Sequence, residues 1–196
     1  LPERILIASG NPGKLREYRE LLASTGLRLE GLDTGVAEDA DTYAGNATLK
    51  AEAACATGGL PALGDDTGLE VAALDGYPGL RSARVAATQE GRHRLLFGPL
   101  SGVPRPWCAR FVCALALAVP GQPTRVFVGE RQGEVVEPRS RTGGAGFGYD
   151  PVFLVPEVGR TFAEMTPEEK NRWSHRGAAV RALLESGVLE EIRDGT

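Results

Sequence analysis

The first patterned stretch of the chain is Ile5–Ala8, a short continuous apolar run that predicts a strand buried on both faces. A small polar turn follows. Leu15, Tyr18, Leu21 and Leu22 then recur at helical spacing, with Pro12 suited to the first turn and Gly26 supplying a stop. Leu27–Leu32 reads as a second strand, so the chain opens strand–turn–helix–strand, the start of an α/β protein. Ala-rich residues 46–57 favour helix by propensity. Residues 60–74, "LPALGDDTGLEVAAL", read as two strand-like pieces joined by a polar Gly/Asp turn.

Residues 88–97 fit another helix, and "CARFVCALALAV" and "RVFVGERQGEVV" read as two core strands joined at "PGQP". Beyond Gly143 the chain is glycine-rich as far as Gly148, then strand-like at "DPVFLV". Thr166 with Glu169 three residues on forms a capping box, and Pro167 takes the first helical position. Val180, Leu183 and Leu184 place a last helix near residues 177–184. No internal repeat or linker interrupts the pattern. The expectation is one domain over residues 1–196, with room for two lobes.

Composition changes this picture little. The 26 Gly and 13 Pro mean many tight turns, and a net charge of −4 without a basic stripe excludes nucleic-acid polymer as a partner. Single nucleotides remain open. Cys55, Cys108 and Cys113 lack metal-ligand spacing and read as buried free thiols in a reducing cytosol. No run approaches the roughly 18 apolar residues of a membrane span, and the first residues are too quickly polar for a secretory signal. The expected location is cytoplasmic.

The lysines are informative. Of 22 basic residues only Lys14, Lys50 and Lys170 are not arginine, so each lysine invites a reason for a compact charge on a flexible stem. "SGNPGK", residues 9–14, resembles a phosphate-binding loop but is no Walker A motif. The required first Gly falls at Ala8, and Leu15 follows the lysine where a magnesium-binding hydroxyl belongs. Phosphate binding remains available through Gly10, Gly13, a helix N-terminus and Lys14. The same pattern also fits a plain Gly/Asn turn with an exposed lysine.

Three further stretches carry candidate chemistry. "GDDTGLE", residues 64–70, offers Asp65 and Asp66 to a hard cation or to a water, or is an Asx-type turn. "GGAGFGYDPVF", residues 143–153, offers Phe147 and Tyr149 as rings for a base and Asp150 as an acceptor, or is a set of core aromatics beside a turn. "EEKNRWSHRG", residues 168–177, gathers Lys170, His175 and Arg176 as donors. His93 sits among surface-type residues and receives no role.

Taken in order, "SGNPGK", "DDTGLEVAALDGYPGLRSAR", "GFGYDPVF", "TFAEM" and "EKNRWSHRG" resemble the inosine/xanthosine triphosphate pyrophosphatase family across essentially the whole chain. The resemblance implies hydrolysis of non-standard purine nucleoside triphosphates (ITP, dITP, XTP) to the monophosphate and pyrophosphate, with Mg²⁺ as cofactor. It also implies a homodimer of elongated, two-lobed α/β subunits, each built around a long mixed β-sheet flanked by helices. Residue by residue it carries over Ser9, Gly10, Asn11, Pro12, Gly13 and Lys14 as phosphate contacts. Asp66, with Asp65 beside it, becomes the catalytic carboxylate, and Asp66 with Glu38 the metal pair, Asp39 and Asp41 staying open as alternatives to Glu38. Thr67, Phe147, Gly148, Tyr149, Asp150, Lys170, His175 and Arg176 become further substrate contacts, most of them to the base. One departure stands out: Gly45 lies just before the Asn of "NATLKA", where family members often carry a glutamate.

Two other functions compete: a pyrimidine-triphosphate pyrophosphatase of similar architecture, and a nucleotide-binding regulator without turnover. Release of pyrophosphate separates the regulator from either enzyme.

Overall fold

A computed structural model describes residues 3–138 and 147–194. In chain order the strands are β1 (Arg4–Ile7), β2 (Arg28–Gly31), β3 (Ala62–Val71), β4 (Trp107–Ala118), β5 (Arg125–Val135), β6 (Phe153–Val155) and β7 (Arg160–Thr161). The helices are α1 (Pro12–Leu21), α2 (Tyr43–Gly58), α3 (Gln89–Leu100), α4 (Pro167–Trp173), α5 (His175–Glu185) and α6 (Val188–Asp194). The strands form one mixed sheet of seven in the order β2-β1-β3-β4-β5-β6-β7. The α/β class and the mixed sheet with flanking helices are thus as expected.

The chain divides into two compact units. The first comprises Leu1–Asp66, Cys113–Gly129 and Arg176–Thr196, and the second Thr67–Val112 and Glu130–His175. In the first, β1 pairs in parallel with β2 (Ile5↔Leu29) and with β3 (Leu6↔Ala62). Alternate side chains then serve two cores. Ile5, Ile7, Cys113, Leu115 and Leu117 pack with Tyr18, Leu22 and the α5 residues Val180 and Leu183. Leu6, Ala8, Ala114, Ala116 and Ala118 pack on Ala47, Ala51 and Ala54 of α2. The unbroken apolar runs follow directly from burial on both faces.

The second unit is built around Leu69, Val71, Phe111, Phe153 and Phe162. Here β5 pairs antiparallel with β6 (Val135↔Phe153), and β6 with β7 (Leu154↔Thr161).

Three expectations change. Residues 60–74 are not two pieces around a turn: β3 runs unbroken through Gly64, Asp65 and Asp66. Gly64 serves close approach, because a Cβ there would collide with the Ala47 carbonyl and the Ala51 backbone of α2. Cys108 is exposed while Cys55 and Cys113 are buried, since the start of β4 alternates between core and solvent. The short helix α6, after the left-handed Gly187, adds an element that residues 177–184 alone did not announce. The capping box Thr166/Glu169 with Pro167 at the start of α4 is present as read.

Candidate active site

In the first unit the turn after β1 is shaped by its own side chains. Ser9 Oγ accepts from the Asn11 N–H at 3.1 Å. Asn11 then caps α1, its Oδ1 accepting from the Gly13 and Lys14 amides at 2.8 and 3.4 Å. Pro12 takes the first position of α1, where it lacks no bond. Gly10 lies against the Asp33 carboxylate, which a side chain there would have to displace. The Gly13 and Lys14 amides are therefore occupied by the cap, and the positive group that leaves the loop is the Lys14 side chain. Its Nζ donates to Asp65 Oδ1 at 2.8 Å.

Asp65 is almost fully buried and held at both oxygens. Arg176, at the start of α5, donates to its Oδ2 at 3.2 Å and to Glu17 of α1 through the other arm of the guanidinium. Burial alone would raise the Asp65 carboxyl, but the Lys14, Arg176 and Lys50 charges outweigh it and hold the group well below the usual carboxylate range. Burial would likewise lower the Arg176 guanidinium, and the Glu17 and Asp65 charges push it well above its ordinary value instead. This is a four-membered ion network, Lys14–Asp65–Arg176–Glu17, whose middle pair is buried and whose ends are half-buried.

Asp66 faces the other way, as strand alternation requires. Its Oδ2 accepts from Asn46 Nδ2 at 3.0 Å, and its Oδ1 lies 3.8 Å from Lys50 Nζ. Asn46 and Lys50 stand one turn apart on α2 and so share a face. The Asn46 side-chain Oδ1 accepts the Ala40 N–H at 3.0 Å, tying down the loop that carries Glu38. Glu38 Oε1 is 3.4 Å from the same Lys50 Nζ. Burial pushes the Asp66 carboxyl up, Lys50 and Asn46 pull it down, Glu38 pushes it up, and the net position is raised.

Of the three acids left open upstream, Glu38 is the one that reaches Lys50, while Asp39 and Asp41 are exposed. Gly45, where a glutamate was expected, packs with its Cα face on Ala40, whose methyl would sit 2.6 Å from an added Cβ. Among the described residues no three His, Cys, Asp or Glu side chains gather as a cage for a metal. Two carboxylates converging on one ammonium are a different arrangement. They suit a hard cation that takes one or two protein carboxylates and completes its shell with water and phosphate oxygens, as Mg²⁺ does.

In the second unit the segment Phe147–Asp150 is tied at several points; Gly143–Gly146 of the same glycine-rich stretch lie outside the described residues. Asp150 Oδ2 accepts from the Phe147 N–H at 2.8 Å and from Lys170 Nζ at 2.6 Å. Asp150 and Lys170 are both about nineteen-twentieths buried, at 4% and 5% exposure. Lys170 Nζ lies 4.9 Å from the centre of the Phe147 ring. The Tyr149 hydroxyl donates to the Ser82 carbonyl at 3.1 Å, and burial pushes its pKa up to about 12. His175 is buried with its ring stacked on Phe111 at 4.4 Å. Thr67 is half-buried on β3.

The structure therefore divides the sequence-selected residues. Lys14, Asp65 and Arg176 meet in one cluster, and Glu38 and Asp66 in another on the opposite face of β3. Phe147, Asp150 and Lys170 meet in the second unit. Arg176, grouped by sequence with Lys170 and His175, bonds to Asp65 and Glu17. Lys50, Asn46 and Glu17 were not singled out as site residues. The scarcity of lysine was the one signal pointing to Lys50, and its spacing of four from Asn46 would have paired them on a helix.

A model of the Ham1 family matches residues 5–186 of the chain. A dITP/XTP pyrophosphatase of Symbiobacterium thermophilum is 45% identical over 96% of this chain and 98% of its own. One of Thermus thermophilus is 47% identical over 93% and 91%. Among solved structures, the Ham1 protein of Staphylococcus aureus superposes with a TM-score of 0.80 at 35% identity, covering 96% of this chain and 99% of that one. A nucleoside-triphosphatase / dITP/XTP pyrophosphatase from Mycobacterium abscessus gives a TM-score of 0.67 at 38% identity, over 92% and 97%.

Proposed function

The chain belongs to the Ham1 family, and from that premise we propose that it hydrolyses non-standard purine nucleoside triphosphates (dITP, XTP and ITP) to the monophosphate and pyrophosphate. The observation that carries the reading is the pairing of a raised, buried carboxylate, Asp66, with Lys50, Asn46 and Glu38 on one face of β3. A carboxylate whose pKa is raised is a better proton acceptor than an ordinary one.

Asp66 is the group that orients a water toward the α-phosphorus and accepts its proton. Asn46 keeps one carboxylate oxygen engaged, so that the other faces the reacting water. Lys50 balances the negative charge of Asp66 and Glu38. Lys14, steadied by Asp65, meets the negative charge that develops on the departing pyrophosphate, an electrostatic role that ranks among the larger catalytic contributions. Glu38 and Asp66 are the residues that would hold Mg²⁺. When bound, the ion supplies Lewis-acid polarisation of the phosphate oxygens.

Base choice is assigned to the second unit. Hypoxanthine and xanthine carry a carbonyl at C6, for which the Lys170 ammonium is a matched donor, whereas the adenine amino group offers nothing for it to bond. The ammonium already donates to Asp150 at 2.6 Å, and a base that offers it no acceptor forgoes the further bond that the C6 carbonyl would make. Homodimerisation and a cytoplasmic location are carried by the family resemblance; among the described residues no helix is long and apolar enough to cross a membrane.

The test is pyrophosphate release from ITP, XTP, dITP, GTP, ATP and CTP, each with Mg²⁺ and with EDTA. Turnover of the first three that requires the metal supports the reading. Binding without turnover leaves the regulator, and preference for CTP leaves the pyrimidine enzyme.

A further inference from the structure

His93 had no role in sequence, and the reaction scheme does not use it. Helix α3 nevertheless sets its ring against the segment Phe147–Asp150, with Nε2 at 2.9 Å from the Gly148 carbonyl oxygen. A carbonyl oxygen can only accept, so Nε2 carries the proton and the imidazole is held in the Nε2–H tautomer. Two aromatic neighbours fix the ring plane. Tyr149 lies 6.0 Å away, tilted by 36°, and Phe97 of the same helix meets the ring edge-on at 6.5 Å.

The bond acts on the central peptide of a turn that the Asp150 N–H closes on the Phe147 carbonyl at 3.2 Å. Gly148 has φ of 64°, in the left-handed region that glycine enters without cost, so its side chain places no limit on how the following peptide turns. On a planar trans peptide the C=O and N–H point in opposite directions. Holding the Gly148 C=O toward α3 therefore aims the Tyr149 N–H away from α3. On either side of that peptide the segment is tied by the Asp150 carboxylate, which holds the Phe147 N–H, and by the Tyr149 hydroxyl on Ser82. The imidazole thus adds a side-chain hold on the central peptide, alongside the backbone bond that closes the turn and between two neighbours tied by other bonds.

We propose that His93 is a positioning residue for base recognition: by donating to the Gly148 carbonyl it fixes the Gly148–Tyr149 peptide and so sets how Phe147, Tyr149 and Asp150 are presented to the purine. This rests on the reading that the Phe147–Asp150 segment takes the base. The imidazole touches the recognition segment and no reacting atom, so its influence belongs in substrate affinity and base preference, leaving the chemical step intact.

Two near-isosteric variants separate donation from space-filling. His93→Gln keeps an N–H at comparable reach, and His93→Glu puts an acceptor there that repels the carbonyl. The position is only half-buried on a helix, so both tolerate the change, which thermal melts establish first. With Mg²⁺ present, KM and kcat are measured for ITP and GTP. His93→Gln is expected within about threefold of the parent in KM for ITP. His93→Glu is expected to raise that KM about tenfold, the effect of one lost hydrogen bond, with kcat little changed and the ITP-over-GTP preference narrowed. Equal KM and equal base preference in the two variants overturns the proposal.

A measurement on the unmutated protein stands independently of how the variants fold. Long-range ¹H–¹⁵N correlation of the His93 ring is expected to show the Nε2–H tautomer, and an Nδ1–H tautomer overturns the proposal. A parent enzyme that turns over ITP and GTP equally sinks the base-recognition reading itself. A parent that discriminates, with an indifferent His93, sinks only the role given to His93.

Discussion

Asp65 and Asp66, adjacent in the chain, point to opposite faces of β3: Asp65 is clasped by Lys14 at 2.8 Å and Arg176 at 3.2 Å, and Asp66 by Asn46 at 3.0 Å. They are therefore not a shared pair around one cation, as their adjacency suggested. One carboxylate is locked into an ion network at a depressed pKa, and the other is raised and faces Lys50 and Glu38.

That separation predicts different failures for the same substitution. Asp66→Asn is expected to lose activity by about two to four orders of magnitude, the usual size for a positioned acid–base group, while the fold is retained. Asp65→Asn leaves Arg176 and Lys14 without their shared carboxylate and should cost about 3–5 kcal/mol of stability. Urea melts beside pyrophosphate assays distinguish the two, and near-parental turnover in Asp66→Asn would remove it from the mechanism.

Lys50 is predicted to matter as much as the better-marked Lys14. Replacing it with Met leaves Glu38 and Asp66 facing each other without the ammonium that both approach. A kcat loss of about 10²–10³-fold is expected, the scale of removing one electrostatic group from a catalytic site. Steady-state kinetics on ITP measures it, and an unchanged kcat would make Lys50 a purely structural counter-charge.

The Lys170–Asp150 pair is buried enough that breaking it should hurt more than deleting it. Lys170→Met strands a buried carboxylate from its ammonium partner and is expected to cost about 3–5 kcal/mol. The double variant Lys170→Met/Asp150→Asn should recover part of that, with a coupling energy of about 1–3 kcal/mol in a double-mutant cycle. Additive losses would show that the two side chains do not interact. Both forms should also lose preference for ITP over ATP, because the donor assigned to the C6 carbonyl is gone.

The two aspartates should also leave opposite marks on acid stability in metal-free protein. For Asp65 the folded pKa lies below the unfolded value of about 3.9, so between the two the unfolded chain binds more protons. Its contribution is complete above roughly pH 5 and is lost as pH falls through that interval. For Asp66 the folded pKa is raised, so its contribution is complete at low pH and is lost as pH rises from about 3.9 through the folded value. Urea melts between about pH 2 and 8 in EDTA should show a shallower acid limb in Asp65→Asn. In Asp66→Asn the decline that accompanies rising pH should disappear. Parallel stability curves for both variants and the parent would contradict the assignment.

Much of the fold was legible because it rests on local rules. Ile5–Ala8 had to be a doubly buried strand, Pro12 and Thr166 marked helix starts by what their backbone and side chains can do, and the Ala-rich stretch was helical by propensity. The reading failed at "GDDTG", whose composition is that of a turn. There Gly64 is demanded by the backbone of α2, and each aspartate finds its cation on a separate element. Cys108 was misjudged for a related reason: it lies in an apolar run, at the end where β4 still alternates toward solvent.

The residues around the candidate site divide along the same line. Sequence by itself determined which side chains were available (a proline at the first turn of a helix, two adjacent aspartates, three lysines, an aromatic segment before Asp150), because composition, capping and periodicity act over a few residues. Only tertiary structure decided their partners. Lys50 and Asn46 meet Asp66 because α2 lies on one face of β3. Arg176 meets Asp65 because α5 and α1 lie on the other, and His93 meets Gly148 across 55 residues of chain. Hydrogen bonds and ion pairs form between whatever packing brings within about 3 Å, and no rule of sequence spacing carries that distance.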